Sequence, residues 1–278
     1  MDWPAAAVAT AAARLRLGLD PRRRRQGAGT RLGQGPGASL EFHDHRAYAP
    51  GDDLRQLDWK VYARSGSLVL RRHRVEVAPR LEILLDGSAS MAQPPAKAAL
   101  AAALTALLCT LAESDGLRPH LWLLGDQPHQ VGGNWRIALG KQVPAGAGGL
   151  EAATGAGLMP GAERVLISDG LCVSGGPAVV RRLGAGAGRI CLIQVMSRSE
   201  LDPAALGAVH LMDVEGGASD QLVDPPAVAA YRQRLARHQA GWHQALAGRG
   251  AGVAGIAAED GLDAAIRRLL ANGIVAMR

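Results

Sequence analysis

Residues 81–91 read Leu-Glu-Ile-Leu-Leu-Asp-Gly-Ser-Ala-Ser-Met. An apolar run ends abruptly in a carboxylate, a glycine and two hydroxyls spaced two apart. Strands covered on both faces read as continuous hydrophobic segments, so this run suits a central parallel strand. Open α/β sheets bind ligands beyond the carboxyl ends of their strands. Asp86, Ser88 and Ser90 are therefore expected together at the sheet rim. One anionic and two neutral oxygens there make a partial donor set for a hard divalent cation, Mg2+ or Mn2+. The same residue types also suit a plain strand-to-helix turn, where Asp and Ser act as caps.

Working outward, Arg-Val-Leu-Ile-Ser-Asp at 164–169 is a second buried strand ending in Asp-Gly. Such strands are often neighbours in a doubly wound sheet, which places Asp169 at the same rim, holding a water on the metal. Further strands are expected over 120–125, 130–133, 189–196, 209–214 and 252–257. Helices are expected over 96–113, 150–154, 177–183, 226–246 and 261–270, with a helical turn over 201–206. Leu100, Leu104, Leu107, Leu108 and Leu111 form a stripe on the first of these at helical spacing. The alternation predicts an α/β fold with a doubly wound, mostly parallel sheet and helices on both faces.

Upstream, residues 5–19 read as an Ala-rich helix, stopped at Pro21. The basic run Arg22–Arg25 opens a Gly-rich connector. No aromatic is interleaved to stack on bases, so a solvated segment is favoured over nucleic-acid binding. Pro50-Gly51 signals a turn. Asp52 or Asp53 then caps a short helix carrying Leu54, Leu57, Val61 and Tyr62. Alternating Arg and Asp around Trp59 predict ion pairs fixing a partly buried turn, and 68–77 reads as a strand. His43 and His45 share a strand face but lack a third ligand, so they read as exposed histidines. His238 and His243, on a polar helix, receive the same reading. The expected organisation is a helix and connector over 1–37, an extension over 38–79, and the α/β domain over 80–278.

Composition sets further bounds. The 278 residues are 48% hydrophobic with a single Phe, so the core must be built from aliphatic side chains. The formal charge is +6, but only three of 31 basic residues are Lys. That pattern looks like coding bias, and the charge is discounted as a sign of polyanion binding. Cys109, Cys172 and Cys191 are widely spaced with no Cys-x-x-Cys pair, against a zinc site or disulfide framework. They read as buried hydrophobes in a reducing compartment. No run of ~18 apolar residues is read that would span a membrane, and residues 5–13 lack a basic start. A cytoplasmic protein is expected.

Asp-Gly-Ser-Ala-Ser at 86–90 resembles the Asp-x-Ser-x-Ser signature of von Willebrand factor A-like domains, and Ile-Ser-Asp-Gly at 167–170 resembles the strand carrying their distal Asp. A longer block resembles the hallmark of the bacterial family called domain of unknown function 58. It is Arg46-Ala-Tyr-Ala-Pro-Gly-Asp-Asp-Leu-Arg-Gln-Leu-Asp-Trp-Lys-Val-Tyr-Ala-Arg64. The resemblance covers roughly residues 38–270. It implies a metal-ion-dependent adhesion site on Asp86, Ser88, Ser90 and Asp169, with an open position for an acidic residue of a partner protein. It also implies an adaptor or co-chaperone for a MoxR-type AAA+ ATPase. One departure stands out. Related domains supply a Thr ligand from a loop before the distal strand, where this chain has Leu150, with Thr154 four residues late.

No catalytic residue is assigned. An aspartate-nucleophile phosphotransferase also places Asp after a strand and uses Mg2+, but it generally needs a second carboxylate two residues on, where Ser88 stands. Gly-x-Ser-x-Gly and a phosphate-binding Gly-x-x-x-x-Gly-Lys-Ser/Thr loop are absent.

Overall fold

The computed structural model describes residues 3–18, 40–50, 52–75, 80–141, 144–146, 148–153, 157–204, 206–212, 218–249 and 251–278. Arg22–Arg25 and Thr154 lie outside these. The chain divides into two compact units, one of residues 1–19 with 80–278 and one of residues 20–79.

The larger unit begins with α1 (Ala5–Arg14) and β1 (Leu15–Leu17). Strand β1 replaces the end of the helix expected over 5–19. Leu15 and Leu17 are buried and Arg16 is exposed, a strand's period of two. In the smaller unit, β2 (Leu40–Ala47), α2 (Trp59–Ser65) and β3 (Val69–Val75) follow, with β2 and β3 antiparallel. The larger unit resumes with β4 (Leu81–Asp86), α3 (Pro95–Ser114), β5 (Pro119–Leu124), β6 (Pro128–Gln130), α4 (Trp135–Lys141), α5 (Gly149–Ala152) and β7 (Glu163–Ser168). Next come α6 (Gly175–Leu183), β8 (Arg189–Met196), α7 (Arg198–Leu201), β9 (Gly207–Met212) and β10 (Ala218–Val223). The chain closes with α8 (Pro225–Ala247), β11 (Val253–Ala257), α9 (Gly261–Ala271) and β12 (Val275–Met277).

Among the described residues, a six-stranded sheet runs in the order β11-β8-β7-β4-β5-β6. All its pairings are parallel except β5 with β6. The expected mixed α/β fold with a mostly parallel central sheet is therefore present. From β4 the chain moves to β5 on one side, and later returns to β7 on the other. That reversal is the switch point where a crevice opens at the carboxyl ends of the strands.

The two sheet faces bury separate cores. Leu81, Ile83 and Leu85 point into a core with Leu104, Leu107, Leu108 and Leu111 of α3. Leu84 points the other way, against Leu166, Leu192, Val179, Val180 and Trp242. Helix α3 is buried nearly all round rather than along one stripe, because Val8 and Ala12 of α1 and Leu269 of α9 belong to the same core. By length and composition alone its 20 residues correct the expectation that no segment is apolar enough to span a membrane. In this fold it is the buried core helix. The N-terminal helix, expected with the connector over 1–37 outside the α/β domain, is likewise part of this core.

In the smaller unit Asp53 caps a single 3-10 turn, and Asp58 caps α2 through the backbone N–H groups of Lys60 and Val61. Of the expected Arg–Asp pairs, Arg46–Asp52 is present at 2.6 Å, while Asp58 meets His45 in a hydrogen bond of 3.0 Å. The expected turn is partly buried, with Leu57 and Asp58 inside and Trp59 exposed, its edge meeting Tyr62. One expectation fails here. His45 is not an exposed histidine, since it is half-buried against Asp58. Nothing is described for the side chain of His43.

Candidate cation site at the switch point

The four residues singled out from the sequence converge. Strand register sets Leu85 beside Ile167, so Asp86 stands level with Ser168 and Asp169 one step beyond. Asp86 Oδ1 accepts from the Ser88 N–H at 2.9 Å, and Oδ2 accepts from Ser168 Oγ at 2.5 Å. Ser88 Oγ and Ser90 Oγ lie 3.0 Å apart, and Ser90 Oγ donates to Asp169 Oδ2 at 2.9 Å. Asp169 Oδ1 accepts from the Leu171 N–H. Asp86, Ser88 and Asp169 are buried, yet all four line a cleft of about 90 Å³.

The backbone of the cleft is cross-stitched. Ala145 and Gly146 donate to Gly87 O, and Ala89 donates to Gly146 O, so the segment before α5 is tied to the turn after β4. Gly149 has φ +45°, and a Cβ there would fall 2.7 Å from Asp86 Oδ1. Only glycine lets this chain cover the carboxylate so closely. Beside it Leu150 is buried in the core with Leu84 and Trp122. The side chain at the position searched for a threonine ligand thus points into the core.

Sequence reasoning missed several partners. Lys97, on the first turn of α3, is fully buried, with Nζ 2.9 Å from Asp169 Oδ2 and 2.6 Å from Glu200 Oε1. Gln194 Nε2 donates to the Asp169 carbonyl. His238, expected to be exposed, is half-buried, and its Nε2 donates to Gly170 O at 2.6 Å, beside a bond from Trp242 Nε1. His243 is exposed, as expected. The signal for Lys97 was faint, a single Lys near the start of an Ala- and Leu-rich helical run.

Electrostatics leave the cluster short of positive charge. Burial, then the nearby Asp169 charge, raises the Asp86 carboxyl to about 6, against opposing hydrogen bonds from Ser168 and Ser88. When Asp86, Asp169 and Glu200 are all ionised, Lys97 offsets only one of the three negative charges. A divalent cation would neutralise the remainder. The donors are oxygens alone, which suits Mg2+ or Mn2+ rather than zinc. Octahedral Mg2+ with ~2.05 Å bonds sets neighbouring oxygens about 2.9 Å apart, close to the 3.0 Å between the two seryl oxygens. These residues fit such an ion. No cluster of three or more His, Cys, Asp or Glu suited to a metal occurs among the described residues.

The fold and the cleft define an α/β protein with a polar, oxygen-rich cluster at its switch point. The chain belongs to the family described as protein of unknown function DUF58, whose model matches residues 44–241. Uncharacterized proteins of Mycobacterium bovis and Mycobacterium tuberculosis are 30% identical over 245 positions, covering 80% of this chain and 76% of theirs. A crystal structure of an aerotolerance-related membrane protein from Bacteroides fragilis aligns at 16% identity and a TM-score of 0.35, covering 71% of this chain and 98% of that one.

Proposed function

We infer that the chain is a non-enzymatic protein-interaction module with a von Willebrand factor A-like domain. Its cleft binds Mg2+ or Mn2+ through Asp86, Ser88 and Ser90, and Asp169 acts from behind through Ser90. When bound, the ion supplies a Lewis-acidic position that takes a carboxylate from a partner protein. The chain's own residues hold the site. Asp86 provides the anionic oxygen, Ser168 fixes its rotamer, Asp169 orients Ser90, and Gly149 shields Asp86 from solvent. The observation carrying the reading is the convergence of two hydroxyls and two carboxylates from β4 and β7 in one cleft.

The rim favours docking over chemistry. Leu171 and Val173 line the same cleft and are 45% and 99% exposed. Their loop is held in place, since Gly170 O accepts from His238 and Trp242, and Ser174 N–H donates to Glu151. A steady apolar edge beside a carboxylate-binding position suits a protein partner. A phosphotransferase would generally need a second carboxylate two residues after Asp86, where residue 88 is Ser.

The partner we propose is a MoxR-type AAA+ ATPase, with this chain as its adaptor or co-chaperone in assembling or maturing other protein complexes. The support is the family's hallmark at 46–64. We also place the chain in the cytoplasm, where the unpaired thiols of Cys109, Cys172 and Cys191 stay reduced. A pull-down with purified MoxR-type ATPase, with and without chelator, tests the partner. Metal-dependent retention lost in Asp86→Ala supports it, and equal retention under both conditions contradicts it.

A further inference from the structure

Lys97 is fully buried, and a buried ammonium is costly. A buried ammonium is tolerated only when paired and hydrogen-bonded. Here one ammonium serves two carboxylates from distant parts of the chain, Asp169 after β7 and Glu200 in α7.

Each partner has a second task. Asp169 Oδ2 accepts from Ser90 Oγ as well as from Lys97 Nζ. Glu200 completes the capping box of α7, its Oε2 accepting from the Ser197 N–H and hydroxyl. The Glu200 carbonyl in turn accepts from Tyr231 Oη of α8 at 2.6 Å. A continuous chain of hydrogen bonds therefore runs from Ser88 through Ser90, Asp169, Lys97 and Glu200 to α7 and α8.

We propose that Lys97 is a positioning residue that couples occupancy of the cation site to helix α7. Resting on the reading of Asp86, Ser88 and Ser90 as a divalent-cation site, it has two consequences. The ammonium holds Asp169 in the orientation that accepts from Ser90, which keeps both seryl oxygens turned toward one ligand position. A cation there draws on Asp169 through Ser90, so Lys97 shifts its bonding toward Glu200 and firms the start of α7. The site then reports its state to the surface formed by α7 and α8.

The test uses the full chain and Mn2+ as the probe, with calorimetry for binding and hydrogen exchange for residues 197–202. Mn2+ should slow exchange there about threefold or more in the wild type. Lys97→Met should weaken Mn2+ binding about tenfold and abolish the exchange response. A role limited to charge repulsion has the opposite sign, because removing a nearby positive charge tightens cation binding. Tighter binding in Lys97→Met would therefore overturn the proposal. Glu200→Gln keeps the capping box, since Gln serves at that position, and guards against a misfolded Lys97 variant. It should bind Mn2+ within about threefold of wild type yet lose the exchange response. Retention of that response in Glu200→Gln, or Mn2+ binding to the wild type with unchanged exchange at 197–202, also overturns the coupling. Absence of Mn2+ binding to the wild type removes the metal reading itself, and the coupling with it.

Discussion

Ser168 Oγ donates to Asp86 Oδ2 at 2.5 Å, joining the tips of β4 and β7 across the switch point of the sheet. This bond fixes the carboxylate in a buried place that raises its pKa, and a pH dependence follows. The Asp86 carboxyl is raised from 3.8 to about 6, first by burial and then by Asp169. A folded-state pKa above the unfolded one favours the protonated folded form. Its stabilising contribution is therefore complete below about pH 4 and is lost as pH rises through about 6. The shift corresponds to roughly 3 kcal/mol. Denaturant unfolding in chelator across pH 4.5–7.5 should show wild type losing stability relative to Asp86→Asn as pH rises. Cation binding needs the ionised carboxylate, so Mg2+ affinity should fall below about pH 6.

Gly149 lies against that carboxylate with a left-handed backbone. Ala there costs roughly 1–2 kcal/mol from the backbone alone, and its Cβ would meet Asp86 Oδ1 at 2.7 Å and the Ser88 Cβ at 3.2 Å. Gly149→Ala should lower the unfolding midpoint and abolish Mg2+-dependent thermal stabilisation. Retention of full stabilisation would show that the carboxylate is not covered as described.

At the opposite end of β4 and β7, Glu82 and Arg164 form a buried ion pair at 2.8 Å, and Arg164 also donates to the carbonyls of Met159, Leu183 and Ala185. Removing one partner leaves an uncompensated buried charge, at about 3–5 kcal/mol. Arg164→Met should lower stability by that order in denaturant unfolding, while the folded fraction binds Mg2+ with wild-type affinity.

Val173 is exposed and makes no core contact, so its substitution should leave stability within about 0.5 kcal/mol. Val173→Asp should weaken metal-dependent binding of the proposed ATPase partner by about tenfold, because a carboxylate at the rim repels the carboxylate that a bound metal would accept. Calorimetry with Mg2+ alone should show no loss of affinity.

Much of this arrangement was legible in the residues. The short, largely apolar runs of β4, β7 and β8 suit buried strands, and each is followed by a polar break. Asp86, Ser88, Ser90 and Asp169 follow from that pattern. Lys97 did not, because a lysine among alanines in a helix normally faces water, and its partner Glu200 is distant in sequence. The all-round burial of α3 depends on α1 and α9 closing over it, which periodicity within α3 cannot report. Strand β10, Ala-Ser-Asp-Gln-Leu-Val, is polar and poor in β-branched residues, so it carries little strand signal.

The central claim is that Asp86 holds a divalent cation with Ser88 and Ser90. Titration calorimetry of Mg2+ and Mn2+ into the chelator-treated full chain, beside Asp86→Ala, tests it most directly. One site per chain in the wild type and none in Asp86→Ala is the expected result. The absence of metal-dependent heat from both proteins, or equal binding by both, would contradict it.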